Sequence, residues 1–382
     1  MNDARGRRPA EDAEPPVSAG DAPGTDPDEP TLGSDKAPAA KDPFRPVGDP
    51  ELQAPPAPPT SRAWEAEPRT LPGDHDDDAA ALVIGEALID IVERPGEQPA
   101  EHPGGSPANV AVGLARLGRD VELVSWFGAD AHGSVLRSHL ELENVRLSAA
   151  SARASHTSTA RARLDEAGGA TYVFDLEWAP PAPEPVVQPI VVHTGSIAAV
   201  LEPGAATVAE TITRFRDTAT ISLDPNIRPA LMGESTATRT LVEALVVQSD
   251  VVKVSDEDLA WLVPDADPLA VARQWARSGP AIVVVTQGAG GAWAVTAGGL
   301  ELDVAAVPAE VVDSVGAGDS FSAGLIDGLW AAGLLGADHR AALAQIDAGT
   351  LQRVLDQAAR IAAITVSREG ANPPTRAELS AR

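Results

Sequence analysis

The sequence predicts an α/β fold in which a central, mostly parallel sheet is covered by helices on both faces, with a small β sheet appended to it. Three observations carry this. Short, near-continuous apolar runs such as ALVIGE, IVVHTGS and AIVVVT suit strands buried on both sides. From about residue 200 onward such runs alternate steadily with amphipathic stretches of helical length. Residues 157–176 break that alternation with two alternating segments around DEAGG, a hairpin signal.

Order is expected to begin at Ala80 with the strand ALVIGE. Ser106 to Gly118 (SPANVAVGLARLG) reads as a helix of small and aliphatic residues stopped by Gly118. Val121 to Trp126 is a strand and His132 to Glu143 an amphipathic helix. Thr157 to Leu164 and Ala170 to Leu176 form the hairpin, WAPPAPEPVVQP is a Pro-rich loop, and IVVHTGS is a buried strand. Helices are expected over Glu202–Arg216, Ser235–Val247, Ser255–Val263, Pro268–Ser278, Ala317–Ala332 and Leu351–Ser367. Between them ATISLD, DVVKV, AIVVVT, GAWAVT and LELDVAAV read as strands. Residues 1–79 hold close to half of the prolines, many acidic residues and almost no Val or Ile. Such a segment buries too little apolar surface to offset its ordering entropy, so an acidic, disordered tail is expected ahead of a single domain at 80–382.

Composition narrows the function. The chain has 382 residues, 43% of them hydrophobic, and a formal net charge of -27. A field of that sign disfavours nucleic acid and anionic lipid, so neither a nucleic-acid nor a membrane partner is expected. Any bound phosphate has to be held by local dipoles and cations. There is no cysteine, which excludes disulfides, thiolate zinc sites and a cysteine nucleophile. No apolar run approaches the roughly 18 residues of a membrane span, and no apolar segment follows the basic residues near the start, so a cytoplasmic protein is expected. The seven histidines are scattered without H-E-x-x-H, and neither G-x-S-x-G nor G-x-x-x-x-G-K-[ST] occurs.

The segment richest in chemistry is VDSVGAGDSF, Val312 to Phe321. Gly316, Ala317 and Gly318 precede a helix, so several backbone N–H groups and the helix dipole can converge into an anion hole. Asp319 falls in the first helical turn beside it, where a carboxylate can take the proton of a hydroxyl attacking a bound phosphate. A Gly-rich turn with a capping Asp would look the same locally. Asp90 lies within the apolar run ALIDIV, where a carboxylate is costly unless it is paired or turned to a ligand.

DSVGAGDSFSAG resembles the C-terminal signature of the ribokinase-like (PfkB) carbohydrate kinases, and PGGSPANVAVGLARLG resembles their N-terminal signature. GEALIDIV, TSTARARLDEAGGATYVF, VVVTQGAGGAW and SREGANPP match further segments of that family in order, so the resemblance spans roughly residues 80–380. It implies a ribokinase-like fold with a β lid built from strands near 87–104 and 155–177. It also implies ATP-dependent phosphorylation of a small sugar with Mg²⁺ as cofactor; K⁺ activation, known in parts of the family, is left open.

Carried over residue by residue, the resemblance makes Asp319 the catalytic base and Gly316–Gly318 the anion hole. It puts Asp90, Gly104, Gly105 and Asn109 on the sugar. Thr286, Gly288, Gly291 and the Asn372 loop fall on the nucleotide. DPNIRP resembles a segment of the fructokinase branch, in which Asp224, Asn226 and Arg228 orient sugar or phosphate or else simply form a capped turn. Arg161 projects from the lid strands toward substrate or stands in solvent. Where the family has N-x-x-E to hold Mg²⁺ through water, this chain has Ser255-Asp256-Glu257-Asp258. Asp258, or Glu257 in its stead, would serve the metal, and a capping Ser with acidic first-turn residues explains the segment nearly as well. Asp313 either helps position a cation or caps a turn. D-fructose is the acceptor the resemblance favours, with ribose, 2-keto-3-deoxygluconate or a nucleoside as alternatives. A homodimer through the lid is the expected assembly, and a non-catalytic sugar sensor on the same fold is the rival reading.

Overall fold

The structure, a computed structural model, describes residues 79–165 and 170–381; the expected acidic tail and nearly all of the DEAGG turn lie outside the described residues. Its strands are β1 (Ala80–Ile84), β2 (Leu88–Glu93), β3 (Ala100–Gly104), β4 (Val121–Val124), β5 (Arg146–Leu147), β6 (Thr159–Leu164), β7 (Ala170–Asp175), β8 (Pro189–Gly195), β9 (Thr220–Asp224), β10 (Val251–Ser255), β11 (Ile282–Thr286), β12 (Ala292–Thr296) and β13 (Glu301–Val304). Its helices are α1 (Ser106–Arg116), α2 (Ala131–Leu142), α3 (Gly204–Phe215), α4 (Pro229–Met232), α5 (Ser235–Gln248), α6 (Asp256–Leu262), α7 (Pro268–Ala276), α8 (Ala317–Ala331), α9 (Arg340–Ala344), α10 (Ala348–Val366) and α11 (Arg376–Ser380).

Among the described residues the main sheet runs β13-β12-β11-β10-β9-β8-β1-β4-β5, and a second sheet runs β3-β2-β6-β7. From β11 to β5 every pairing in the main sheet is parallel; β12 and β13 add antiparallel at one edge. This is the ribokinase-like α/β fold. The apolar runs are continuous because both faces are covered. Val83, Val191, Val251 and Val284 pack with α1, α8 and α10 on one side. Leu82, Val192, Val252 and Val285 pack with α3, α5 and α7 on the other.

Two local expectations are corrected. LELDVAAV is a strand only over Glu301–Val304, because its partner β12 begins at Ala292, which pairs with Val304 and leaves nothing further to pair with. Val121 to Trp126 shortens to Val121–Val124. The register of the second sheet matters most for function. It sets Asp90 beside Ala160 and Phe174 in one row, and Ile91 beside Arg161 and Val173 in the next. Neighbours in one row share a face and successive rows alternate. No described helix is long and apolar enough to cross a membrane.

Candidate active site

The carboxyl ends of β1, β9, β10 and β11 form one edge of the sheet, the place where open α/β folds bind ligands. Strand parity decides what meets there. Leu223 and Val252 belong to the α3, α5 and α7 side, so Asp224 and Lys253, one residue on, face the α8 side.

The amino terminus of α8 stands over them. Gly316 is its N-cap with φ 74°, left-handed backbone, and a Cβ there would lie 2.5 Å from Ala371 Cβ, so only glycine fits. The first-turn N–H groups that follow have no intrahelical acceptor and carry the positive end of the helix dipole. Asp319, 8% exposed, sits in that turn. Ser106 Oγ donates to its Oδ1 at 2.7 Å and Asn109 Nδ2 to its Oδ2 at 2.8 Å. Both donors lie on α1, which enters directly from the lid through Gly105. Burial raises the Asp319 pKa, the two hydrogen bonds oppose this, and the charge of Asp224 adds to the rise.

Asp90 reaches the same region from β2. Its carboxylate lies over Gly104, where an added Cβ would come within 2.0 Å of Asp90 Oδ2. Burial pushes the Asp90 pKa up to about 6, with the Arg228 cation pulling it down and the Asp319 charge pushing it up. Asp90, Arg228 and Asp319 therefore share one electrostatic neighbourhood. Arg228 itself is exposed and donates to Asn226 Oδ1 at 2.7 Å. Asp224 thus holds the cation of Lys253, and Asn226 that of Arg228.

Several sequence-predicted residues sit differently. Arg161 is ion-paired to Glu93, which Arg163 also binds, on the face of the lid sheet opposite Asp90. The odd offset between Asp90 and Arg161 across the β2–β6 register puts it there. Asp258 spends both oxygens on backbone, accepting from Ile227 N at 2.9 Å and Ser255 N at 3.2 Å, and completes a capping box with Ser255. Glu257 is exposed. Asp313 accepts from Val315 N and Gly370 N, so it ties the turn before α8 to the loop after α10. Asn372 lies in that loop with its side-chain oxygen taken by Arg116. Thr286, Gly288 and Gly291 form the β11–β12 turn beside β10, with Thr286 in register with Ser255.

The sequence reading passed over three residues. Ser106 was read only as the start of a helix. Glu86, 6% exposed at the end of β1, accepts from Ala198 N at 3.2 Å, and burial pushes its pKa up to about 7. Lys253 is 5% exposed and binds Asp224 Oδ2 at 2.9 Å. A charge inside VVKV was as legible as the one inside ALIDIV.

A buried carboxylate in the first turn of a helix, with a second carboxylate presented from the smaller sheet, is an arrangement that can move a phosphoryl group onto a hydroxyl. A model of the pfkB family carbohydrate kinases matches residues 78–378. The fructokinase of Klebsiella pneumoniae is 36% identical over 275 residues, covering 69% of this chain and 87% of the relative. The crystal structure of a Xylella fastidiosa fructokinase with bound ATP superposes with a TM-score of 0.68 at 27% identity, over 79% of this chain and 97% of that one. A double-mutant Vibrio cholerae fructokinase with fructose, ADP and potassium ion gives 0.65 at 26%, over 80% and 99%. The chain belongs to the pfkB family, and it is an ATP-dependent carbohydrate kinase.

Proposed function

We propose that the protein transfers the γ-phosphoryl group of ATP to the primary hydroxyl of D-fructose, giving fructose 6-phosphate. The observation that carries the reading is Asp319, buried at the first turn of α8 and fixed by Ser106 and Asn109. Asp90, with Gly104 and Gly105 behind it, would accept hydroxyls of the sugar, and Asn109 would meet both sugar and base. Asp319 takes the proton as the hydroxyl oxygen attacks phosphorus, and the amides of Gly316–Gly318 receive the phosphate oxygens. Thr286, Gly288, Gly291 and the Asn372 loop are the proposed walls of the nucleotide site. Fructose as acceptor is supported by the fructokinases among the relatives.

Mg²⁺ holds one or two carboxylates plus phosphate oxygens and water. The donor set fits it at one residue: Asp224 Oδ1 is buried without a hydrogen-bond partner. When bound, Mg²⁺ would offset the phosphate charge. Exposed Tyr172 and Val173 on edge strand β7 support a homodimer through the lid, which sedimentation would read.

The test is ADP release over a panel of D-fructose, ribose, 2-keto-3-deoxygluconate and nucleosides, with Mg²⁺ and with or without K⁺. Turnover greatest on D-fructose is expected. Greater turnover on another acceptor would reassign the substrate, and sugar binding without turnover would make the protein a sensor.

A further inference from the structure

Lys253 lies in the middle of a strand whose neighbours Val251, Val252 and Val254 are all fully buried. A lysine there is costly unless its charge is used or fully paired. Its pairing is incomplete. Asp224 Oδ2 accepts from Lys253 Nζ at 2.9 Å and from Ser322 Oγ at 3.1 Å, yet Asp224 Oδ1 is buried with no partner. Lys253 has three N–H donors, and Asp224 is the one acceptor it meets among the described residues. Its position is telling: a Cβ placed on Gly318 would be 2.8 Å from Lys253 Nζ. The ammonium therefore occupies the side of Gly318 where a side chain would stand, in the first turn of α8. Lys253 thus has N–H donors left over beside the first turn of α8.

We infer that Lys253 is a catalytic cation of this kinase, contacting the transferring phosphoryl group through the gap that Gly318 leaves, with Asp224 as the residue that positions it. This rests on the phosphoryl-transfer reading of the same site. The hydroxyl oxygen of the acceptor forms a bond to the γ-phosphorus while the bond from that phosphorus to the bridging oxygen breaks. The electron pair leaves with ADP and the proton goes to Asp319. Lys253 gives up no proton in this step; its ammonium stays 2.9 Å from Asp224 Oδ2. Its task is to meet the negative charge on the phosphoryl oxygens, which the chain's own net charge of -27 repels. His193, hydrogen-bonded to Ser222 Oγ at 3.0 Å, is held neutral by burial, its pKa pushed down to about 4. It adds no competing charge.

The test uses the full chain and two readouts. Lys253→Met keeps the length and removes the charge; Lys253→Gln also removes the charge but keeps an N–H donor for Asp224 Oδ2, so that the buried carboxylate is not left unpaired if the methionine variant folds poorly. The first readout needs no acceptor: calorimetric titration with AMP-PNP and with ADP, both with Mg²⁺. The parent should bind AMP-PNP with a margin over ADP, and both variants should lose on the order of tenfold of that margin, as expected for one charge-assisted hydrogen bond. The second is turnover on the sugar the parent uses best, which should fall by about 10²-fold or more, as when a donor to a developing charge is removed. Either variant melting like the parent, keeping the AMP-PNP margin and turning over at the parental rate would overturn the inference. Failure of the kinase reading itself shows separately, as a parent that releases no ADP with any sugar.

Discussion

Replacing Asp319 by asparagine separates catalysis from folding. The neutral amide suits this environment, since burial already works against the carboxylate's charge. The amide oxygen can keep the 2.8 Å bond from Asn109 Nδ2, and the Ser106 hydroxyl, now 2.7 Å from the other oxygen, can turn to accept from the amide nitrogen. Stability should therefore stay within about 1 kcal/mol of the parent. Proton removal has no such substitute, because an amide is not a base near neutral pH. The loss should be about 10²–10⁴-fold in kcat, or roughly 3–5 kcal/mol in the barrier. Coupled ADP release on D-fructose measures the first quantity and thermal unfolding the second. AMP-PNP binding serves as a control that the anion hole is intact. Turnover by Asp319→Asn within a few-fold of the parent would refute the assignment of the base. So would a large drop in melting temperature accompanying the lost activity, since the loss would then belong to folding.

Further outcomes follow from the same geometry. The acid limb of kcat/KM should lie above the ordinary carboxylate range, because Asp319 works ionised and its pKa is raised; activity is lost as pH falls through that raised value, and a pH–rate profile reads it. Glu86, raised from 4.5 to about 7, binds protons more tightly folded than unfolded, so stability from this group falls as pH rises between those values. Glu86→Gln should then gain on the order of 1–3 kcal/mol at pH 8 and almost nothing at pH 4, measured by denaturant unfolding. Arg161→Ala should leave kcat/KM within a few-fold, since it removes a half-exposed ion pair on the lid face away from Asp90. Gly316→Ala should destabilise the turn before α8 by about 1–2 kcal/mol through its left-handed backbone alone, with a further loss from the contact with Ala371, and should weaken nucleotide binding.

What could be read from the chain alone divides by how local the determining physics is. Strand runs and the helix after GAGD were legible because burial on both faces and glycine at a helix start leave marks within a few residues. The face on which Arg161 falls was not, because it depends on the register between β2 and β6, strands far apart in sequence, and a slip of one residue would reverse it. Asn372 was expected at the nucleotide, but its side-chain oxygen is taken by Arg116, 256 residues away. The SDED segment left two explanations open, and the structure favours the cap: Ile227 N, from the loop after β9, takes Asp258 Oδ1.

Lys253 is a different case: it sits inside an apolar strand, as Asp90 does, and the same argument about buried charge applies to it. A buried charge in a strand that ends at the ligand edge of the sheet is informative whatever its sign. Here the two signs complete each other. On the proposed reading Asp90 and Asp319 would supply acceptors for hydroxyls and a proton, while Lys253, Arg228 and the α8 amides would supply the positive field that phosphate needs in so acidic a chain. The cations are held by Asp224 and Asn226, the last residue of β9 and the second residue beyond it. That makes this segment the part of the site where a single substitution should disturb phosphate and sugar handling together.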